Sequence, residues 1–343
     1  MGATLKQIAE ETGLSVSTVS RVTTGKGYVS DEARRLVEEA VQRLSYSRRP
    51  PMPQIRQGGE ELVMILVGGI RSSVASQIVE YLVAELIRRQ KRPFVAVSCF
   101  STEMERSYLQ FAADNHFFGV LAMSLTETPE TLAMLANYNC PLVLLERYLP
   151  SLDCDCLRAD YYRIGFQCAE HLIQNGHQNI GFIGGSLEST ITQDKRTGFE
   201  DCMRANGLEL RPEWIIHAKR LIYKNAVAIA NQLLALRELP TALVTSNDVS
   251  VGILNELMSR GVRVPEDISI CNCEDSVMAT HCQVPLTSMS VDFKSMACGA
   301  VKMLCKRRRQ PSAPRSLLIY NPQLIERSSV LRLSTARQQT HPM

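Results

Sequence analysis

The sequence predicts an all-α head followed by an α/β body made of two doubly wound halves. Three observations carry that reading. The first 46 residues hold three short apolar stripes of helical period, punctuated by Gly13 and Ser30. A Pro- and Gly-rich stretch at 47–60 then breaks every periodic pattern. Beyond it, short apolar runs alternate with amphipathic stretches, as in parallel strands joined by helices. At 343 residues the chain is too long for one ordinary domain, and 45% apolar with 21% charged residues is a globular composition. No apolar run approaches the roughly 18 residues of a membrane span. The start, Met1 to Gln7, lacks the apolar core of an export signal, so the expectation is a cytoplasmic protein with no membrane partner. Eleven scattered cysteines then read as reduced thiols packing like small hydrophobes.

Charge is unevenly placed. Residues 1–56 carry nine Lys and Arg against six acids, which is the whole formal excess of +3. A basic head on a neutral body suggests a polyanion-binding module attached to something else.

The head, 1–46, justifies its helices in order. Thr4 and Gln7 have capping-box spacing, Leu5, Ile8 and Ala9 form one stripe, and Gly13 supplies the stop. Ser15 can cap a second helix through Val22, and a tight Gly-containing turn between the two makes a helix-turn-helix. Ser30 opens a third helix whose inner face is Ala33, Leu36, Val37, Ala40, Val41 and Leu44. Val16, Ser17, Thr18, Ser20 and Arg21 are left on an exposed face. Short side chains let a helix sit deep in a major groove, hydroxyls reach phosphates, and Arg21 can reach a guanine edge. The competing reading is a three-helix adaptor with a merely solvated serine face.

The stretch from Ile8-Ala9 through Gly13-Leu14-Ser15-Val16-Ser17-Thr18-Val19-Ser20-Arg21-Val22 resembles the amino-terminal module of the lactose-repressor (LacI/GalR) family. The resemblance implies base reading by Val16, Ser17 and Arg21, and phosphate contacts by Thr4, Ser15, Thr18 and Ser20. In the linker, the family's hinge helix presents a Leu to the minor groove. Here Ile55 falls at the wedge position and Arg56 follows, but Pro53 removes an amide that such a helix needs. An extended tether is the expectation.

In the body, strands are expected at 62–67, 94–99, 119–123 and 142–146, then at 180–184, 242–246 and 268–273. Helices are expected at 76–90, 103–116, 161–175 and 249–260. Two such halves imply a cleft at the carboxyl ends of the strands. Segments 171–185, 195–199, 246–252, 264–270 and 326–329 resemble the same family's effector domain, whose fold is that of two-lobed periplasmic binding proteins. The resemblance implies a domain at 61–330. Its first lobe takes about 61–159 and 293–319, its second about 160–291 and 321–330, and a tail follows at 331–343.

It also implies an effector site. Arg196 matches a ligand-binding arginine, and Asn247 a ligand-binding amide with Asp248 beside it. Glu274 and Glu146 stand where the family has Asp. The family's stacking aromatics are replaced by Ser72-Ser73-Val74-Ala75 and by Leu221, with Tyr223 as a possible substitute. A pocket without rings would lean on Ser72, Ser73 and Ser76. Cys154/Cys156 and Cys271/Cys273 lack zinc-type spacing, so no metal and no cofactor are expected. His171 and His177 read as core and loop residues, and the run Lys306 to Arg309 as a solvated helix end.

The resulting expectation is a dimeric transcriptional regulator, a repressor rather than an enzyme. It would bind double-stranded operator DNA and answer to a small sugar-like effector. A purine or nucleoside effector or corepressor, and a vestigial or enzymatic cleft, stay open as alternatives.

Overall fold

The computed structural model describes residues 4–24, 27–44, 61–149, 151–187, 189–218, 223–246 and 248–333. The linker residues Ile55 and Arg56, as well as Leu221 and Asn247, lie outside them. The chain divides into two compact units, Met1–Gln54 and Ile55–Met343.

The first unit is three helices: α1 (Leu5–Thr12), α2 (Val16–Thr24) and α3 (Asp31–Arg43). The Thr4 hydroxyl accepts from the Gln7 amide, and the Gln7 side chain accepts from the Thr4 amide, which is a complete capping box. Gly13 ends α1 at φ 68°, a left-handed conformation that glycine adopts without strain. Ser15 Oγ accepts from the Thr18 amide and Ser30 Oγ from that of Ala33, opening α2 and α3. Ile8, Ala9, Val19, Val37 and Ala40 form the buried centre.

The second unit contains two six-stranded sheets. The first has the order β11-β5-β4-β3-β1-β2 and is parallel throughout. Its strands are β1 (Leu62–Val67), β2 (Arg92–Val97), β3 (Gly119–Ala122), β4 (Leu142–Leu145), β5 (Asp155–Ala159) and β11 (Leu317–Tyr320). Helices α4 (Ser73–Arg88), α5 (Thr102–Asp114), α6 (Pro129–Ala136) and α12 (Phe293–Arg309) complete this lobe. The second sheet, β12-β10-β9-β8-β6-β7, is parallel except for the β10–β12 pair. It comprises β6 (Ile180–Gly184), β7 (Ile215–His217), β8 (Ala242–Thr245), β9 (Ser269–Asn272), β10 (Thr287–Ser290) and β12 (Gln323–Ile325). Its helices are α7 (Tyr161–Gln174), α8 (Thr190–Ala205), α9 (Ala226–Leu234), α10 (Val249–Ser259) and α11 (Val277–His281). The chain crosses between the sheets after β5, after β10 and after β11.

Central strands β1, β3, β6 and β8 are buried almost throughout, because helices cover both faces of a parallel sheet. Strand β5 carries Asp155 and Arg158 within that pattern. The buried Asp155 carboxylate takes two bonds from Arg307, at 2.7 and 3.1 Å. Arg307 also donates to the carbonyls of Pro311, Ala313 and Pro314. The expected solvated run at 306–309 is therefore corrected at Arg307, which is 6% exposed and pins the end of α12 to β5.

Helices α7 and α8 cross with their backbones in contact. A β-carbon on Gly165 would stand 1.9 Å from the Lys195 carbonyl oxygen, and one on Gly198 2.0 Å from that of Tyr162. Two glycines facing each other's backbones thus set where Lys195 lies.

Candidate functional site

Two surfaces carry chemistry, one on each unit. On the head, burial of Val19 against α1 and α3 turns the opposite side of α2 outward. Val16 is 46% exposed, and Ser17 and Arg21 are exposed beside it. Thr4 and Ser15 are exposed, whereas Thr18 and Ser20 are half-buried. Ser15 Oγ hydrogen-bonds the hydroxyls of Ser17 and Thr18 at 2.7 and 2.9 Å, forming a polar cluster at the first turn of α2. That turn also presents backbone N–H groups and the positive end of the helix dipole, which suit phosphate oxygens.

On the two-lobed unit, the carboxyl ends of both sheets meet. Ser73, the first residue of α4, donates its amide (2.9 Å) and its hydroxyl to the carboxylate of Asp248, which opens α10 on the other lobe. A carboxylate at the α4 amino terminus answers that helix's dipole. Arg158 of β5 reaches Asp194 of α8 at 2.9 Å, a second tie between lobes. Between these ties lies a buried cluster. Lys195 pairs with Glu274 and stands 5.1 Å from the centre of the Tyr161 ring. Tyr161 donates its hydroxyl to Glu146, whose other oxygen accepts from the Ala159 amide at 2.8 Å. Burial pushes the Glu146 carboxyl up to about 7, against the pull of the Ala159 amide and of Lys195. Burial alone would lower Lys195; the Glu274 carboxylate outweighs it and holds the ammonium above its ordinary range. The hydroxyls of Thr245 and Ser246, buried at the carboxyl end of β8, have no hydrogen-bond partner.

The structure thus brings Glu146 and Glu274 together, through Lys195. It does not bring Arg196 to them. Arg196 is held by Glu200 (2.6 Å) and His217 (3.3 Å) at the β7 edge of the second sheet. One residue is about 100° of helix rotation, so the adjacent lysine takes the inward place. The three serines expected to line the pocket are already committed. Ser72 caps α4 by accepting from the Ala75 amide, and Ser76 donates to the carbonyls of Ile70 and Ser72. Ser73 is bound to Asp248. Tyr223 lies along the flank of α10, its ring near Gly252 and its hydroxyl accepting from Asn255 at 3.1 Å. Sequence reading passed over Lys195, whose signal was its place three residues before Gly198.

Other expected groups take structural places. All eleven cysteines are free, and His177 is buried between Thr241 and the Leu331 carbonyl, burial lowering its pKa to about 4. Among the described residues no group of three or more His, Cys, Asp or Glu is placed to hold a metal, and no helix there is long and apolar enough to cross a membrane.

A helix-turn-helix unit joined to a two-lobed α/β unit with polar groups converging between the lobes defines the build of a DNA-binding regulator. The description "Bacterial regulatory proteins, lacI family" matches residues 4–49, and "Periplasmic binding protein-like domain" matches 169–330. The chain is 27% identical over 330 residues to the HTH-type transcriptional repressor PurR of Pasteurella multocida (strain Pm70), covering 96% of this chain and 98% of that one. It is also 27% identical over 333 residues to PurR of Haemophilus influenzae (strain PittEE), with 96% and 98% covered. Among solved structures it resembles a transcriptional regulator CelR–cellobiose complex, with TM-score 0.72, 25% identity, and 95% and 99% of the two chains covered. The fold is shared with the lac repressor dimer bound to operator and the anti-inducer ONPF, at TM-score 0.70, 20% identity, and 96% and 100% covered. The chain carries a lacI-family helix-turn-helix module at 4–49 followed by a periplasmic binding protein-like domain at 169–330. It is a DNA-binding transcriptional repressor and not an enzyme.

The exposed α2 face makes one expectation concrete. Arg21→Ala should weaken binding to the cognate operator by about 1–3 kcal/mol. Equilibrium titration on operator and on random DNA at one salt concentration checks it. Equal weakening on both would assign Arg21 to phosphate instead of base.

Proposed function

We propose that this repressor is a cytoplasmic homodimer whose paired heads bind a pseudo-palindromic operator. Val16, Ser17 and Arg21 read bases, while Thr4, Ser15, Thr18 and Ser20 position phosphates. A small neutral effector, a sugar or sugar derivative, enters between the two lobes and changes operator affinity. The observation that carries the effector reading is the convergence of Ser73, Asp248, Lys195, Glu274 and Glu146 from both lobes on one place. The unpartnered hydroxyls of Thr245 and Ser246 add donors and acceptors there. The likeness to a regulator solved with cellobiose supports a sugar.

The effector acts by binding the open and closed arrangements unequally, since equal affinity shifts no equilibrium. Parting the lobes breaks the Ser73–Asp248 and Arg158–Asp194 ties, and a ligand that replaces or bridges them sets the balance. A purine or nucleoside effector is the second reading, favoured by the likeness to repressors that carry the name PurR.

Thermal unfolding of the full chain against neutral sugars, sugar acids, sugar phosphates, nucleosides and purine bases tests the proposal. A ligand at a hundred times its dissociation constant stabilises by about 2.7 kcal/mol, or several degrees of midpoint for a chain of this size. The expected result is a shift with a neutral sugar and a parallel change in operator affinity. A shift with purines alone selects the second reading, and no shift with any class removes the effector.

A further inference from the structure

We propose that the cavity at the amino end of the first sheet is a second ligand site, which takes a small organic anion: a carboxylate or phosphate monoester with an apolar body. It lies apart from the interlobe site and does not depend on the effector reading.

The same two strands serve both places. Strands β4 and β5 lead to Glu146 and Arg158 beside the other lobe, and at their opposite ends Leu142 and Cys154 line the cavity. Four residues of strand, at about 3.3 Å each, part the two ends. The cavity holds about 450 Å³, a volume usual for a small-molecule pocket. Leu135, Pro141, Leu142 and Leu152 give it an apolar wall, and Arg308, Arg315 and Asp153 stand on the same lining.

Arg307 fixes this wall. Its guanidinium is spent inward, on the Asp155 carboxylate and on the carbonyls of Pro311, Ala313 and Pro314. Asp155 also accepts from the Ser316 amide at 3.0 Å. These bonds wrap the loop at 310–316 around one buried side chain. They set the backbone of Arg308, which follows Arg307, and of Arg315, which precedes Ser316. Cations on a backbone already fixed leave less to be ordered when a ligand binds.

Neither cation is answered by an acid. Among the described residues Arg308 and Arg315 make no ion pair, and Arg308 stands 5.8 Å from the centre of the Phe118 ring. The two thiols beside them do not compensate. Burial pushes Cys140 up to about 11, against the pull of Tyr138 and Arg308. Burial, then Cys156 and Asp155, pushes Cys154 up to about 12 against Arg315. Both thiols are neutral near pH 7, and Asp153 is the one acid on the lining among the described residues. The negative pole of α12 also ends here, and four basic residues in its last turn answer it.

Two guanidinium groups beside an apolar wall match carboxylate or phosphate oxygens on an apolar body. Both arginines are exposed, so no buried charge has to be offset before the anion arrives.

The test is isothermal titration of the full chain with phenyl phosphate, benzoate, inorganic phosphate and benzyl alcohol. Wild type is compared with three variants, each first shown by its unliganded melt to be folded. One is Arg308→Gln with Arg315→Gln. The second is Lys302→Gln with Lys306→Gln, exposed on the same helix but off the lining. The third is Asn139→Trp, which fills the cavity from an exposed position on its lining. The expected result is that wild type binds phenyl phosphate or benzoate and that losing both arginines weakens binding about tenfold or more. Asn139→Trp should abolish it, and the lysine pair should leave it within about twofold of wild type. Which of the two anions binds more tightly identifies the source of the charge. Equal loss from the lysine pair assigns the binding to general surface charge and overturns the proposal. Binding unchanged by the arginine pair or by Asn139→Trp places the anion elsewhere and overturns it too. Inorganic phosphate bound as tightly as phenyl phosphate overturns the apolar wall, and benzyl alcohol bound as tightly as benzoate overturns the anion class. Binding of nothing in the panel overturns the site and leaves the effector reading untouched.

Discussion

Gly165→Ala is expected to destabilise the two-lobed unit by roughly 1–3 kcal/mol or more, although glycine to alanine inside a helix ordinarily stabilises by about 0.5–1 kcal/mol. The opposite signs make the experiment decisive. Gly165 lies within α7, where propensity alone favours alanine. Its missing β-carbon, however, is the space occupied by the Lys195 carbonyl of α8, at 1.9 Å. That neighbour is backbone, so no rotamer change relieves the clash, and α8 must move away as a unit. Gly198 stands in the mirror position against Tyr162, so Gly198→Ala should behave alike. The displaced segment carries Lys195 and Asp194, one to the buried cluster and one to the tie with Arg158. Urea unfolding at unchanged slope gives the stability loss, and a slope change would report a rearranged native state instead. An alanine variant at Gly165 as stable as wild type would show that the two helices do not meet as closely as described.

The central strands were legible because a parallel strand covered on both faces is a continuous apolar run. Strands β1 and β6 fall at 62–67 and 180–184 as the runs predict. At the sheet edge the reading slips. Strand β2 begins at Arg92 instead of 94, because an edge strand accommodates Pro93 and a charged residue. It stops at Val97 because the chain then bends into the left-handed turn at Cys99 and Phe100. Strand β5 was hidden by Asp155 and Arg158, charges tolerated in a buried strand because Arg307 and Asp194 answer them. Capping spacings revealed the starts of α1, α2 and α3, since those hydrogen bonds are local. The same locality misled at Ser72 and Ser76. Their hydroxyls are used within a few residues of sequence, and composition cannot distinguish a serine that caps a helix from one that faces a ligand. Lys195 and Asp248 find their partners 79 and 175 residues away, and no periodicity in one sequence encodes such pairings.

Lys195→Met is expected to cost about 3–5 kcal/mol near neutral pH, because it leaves buried carboxylates without their cation. Lys195 is 3% exposed, Glu274 and Glu146 each 7%, so water replaces little of the lost pairing. The pH dependence follows from Glu146. Burial raises its pKa from 4.5 to about 7 in the folded protein, so the folded state holds that proton more tightly than the unfolded chain does. Its contribution to stability is present in full below about 4.5 and is lost as pH rises through about 7. Lys195 moderates the loss by favouring the charged carboxylate, and methionine removes that moderation. The midpoint difference between wild type and Lys195→Met should therefore be larger at pH 8 than at pH 5. Adding Glu274→Leu to Lys195→Met should recover much of the stability, since removing both members of a buried pair spares the lone charge. Glu146→Gln in the wild-type background should flatten the slope between pH 5 and 8. Thermal melts of the four proteins across that range decide the matter. A Lys195→Met penalty independent of pH would place the energetics of the cluster in packing instead of charge.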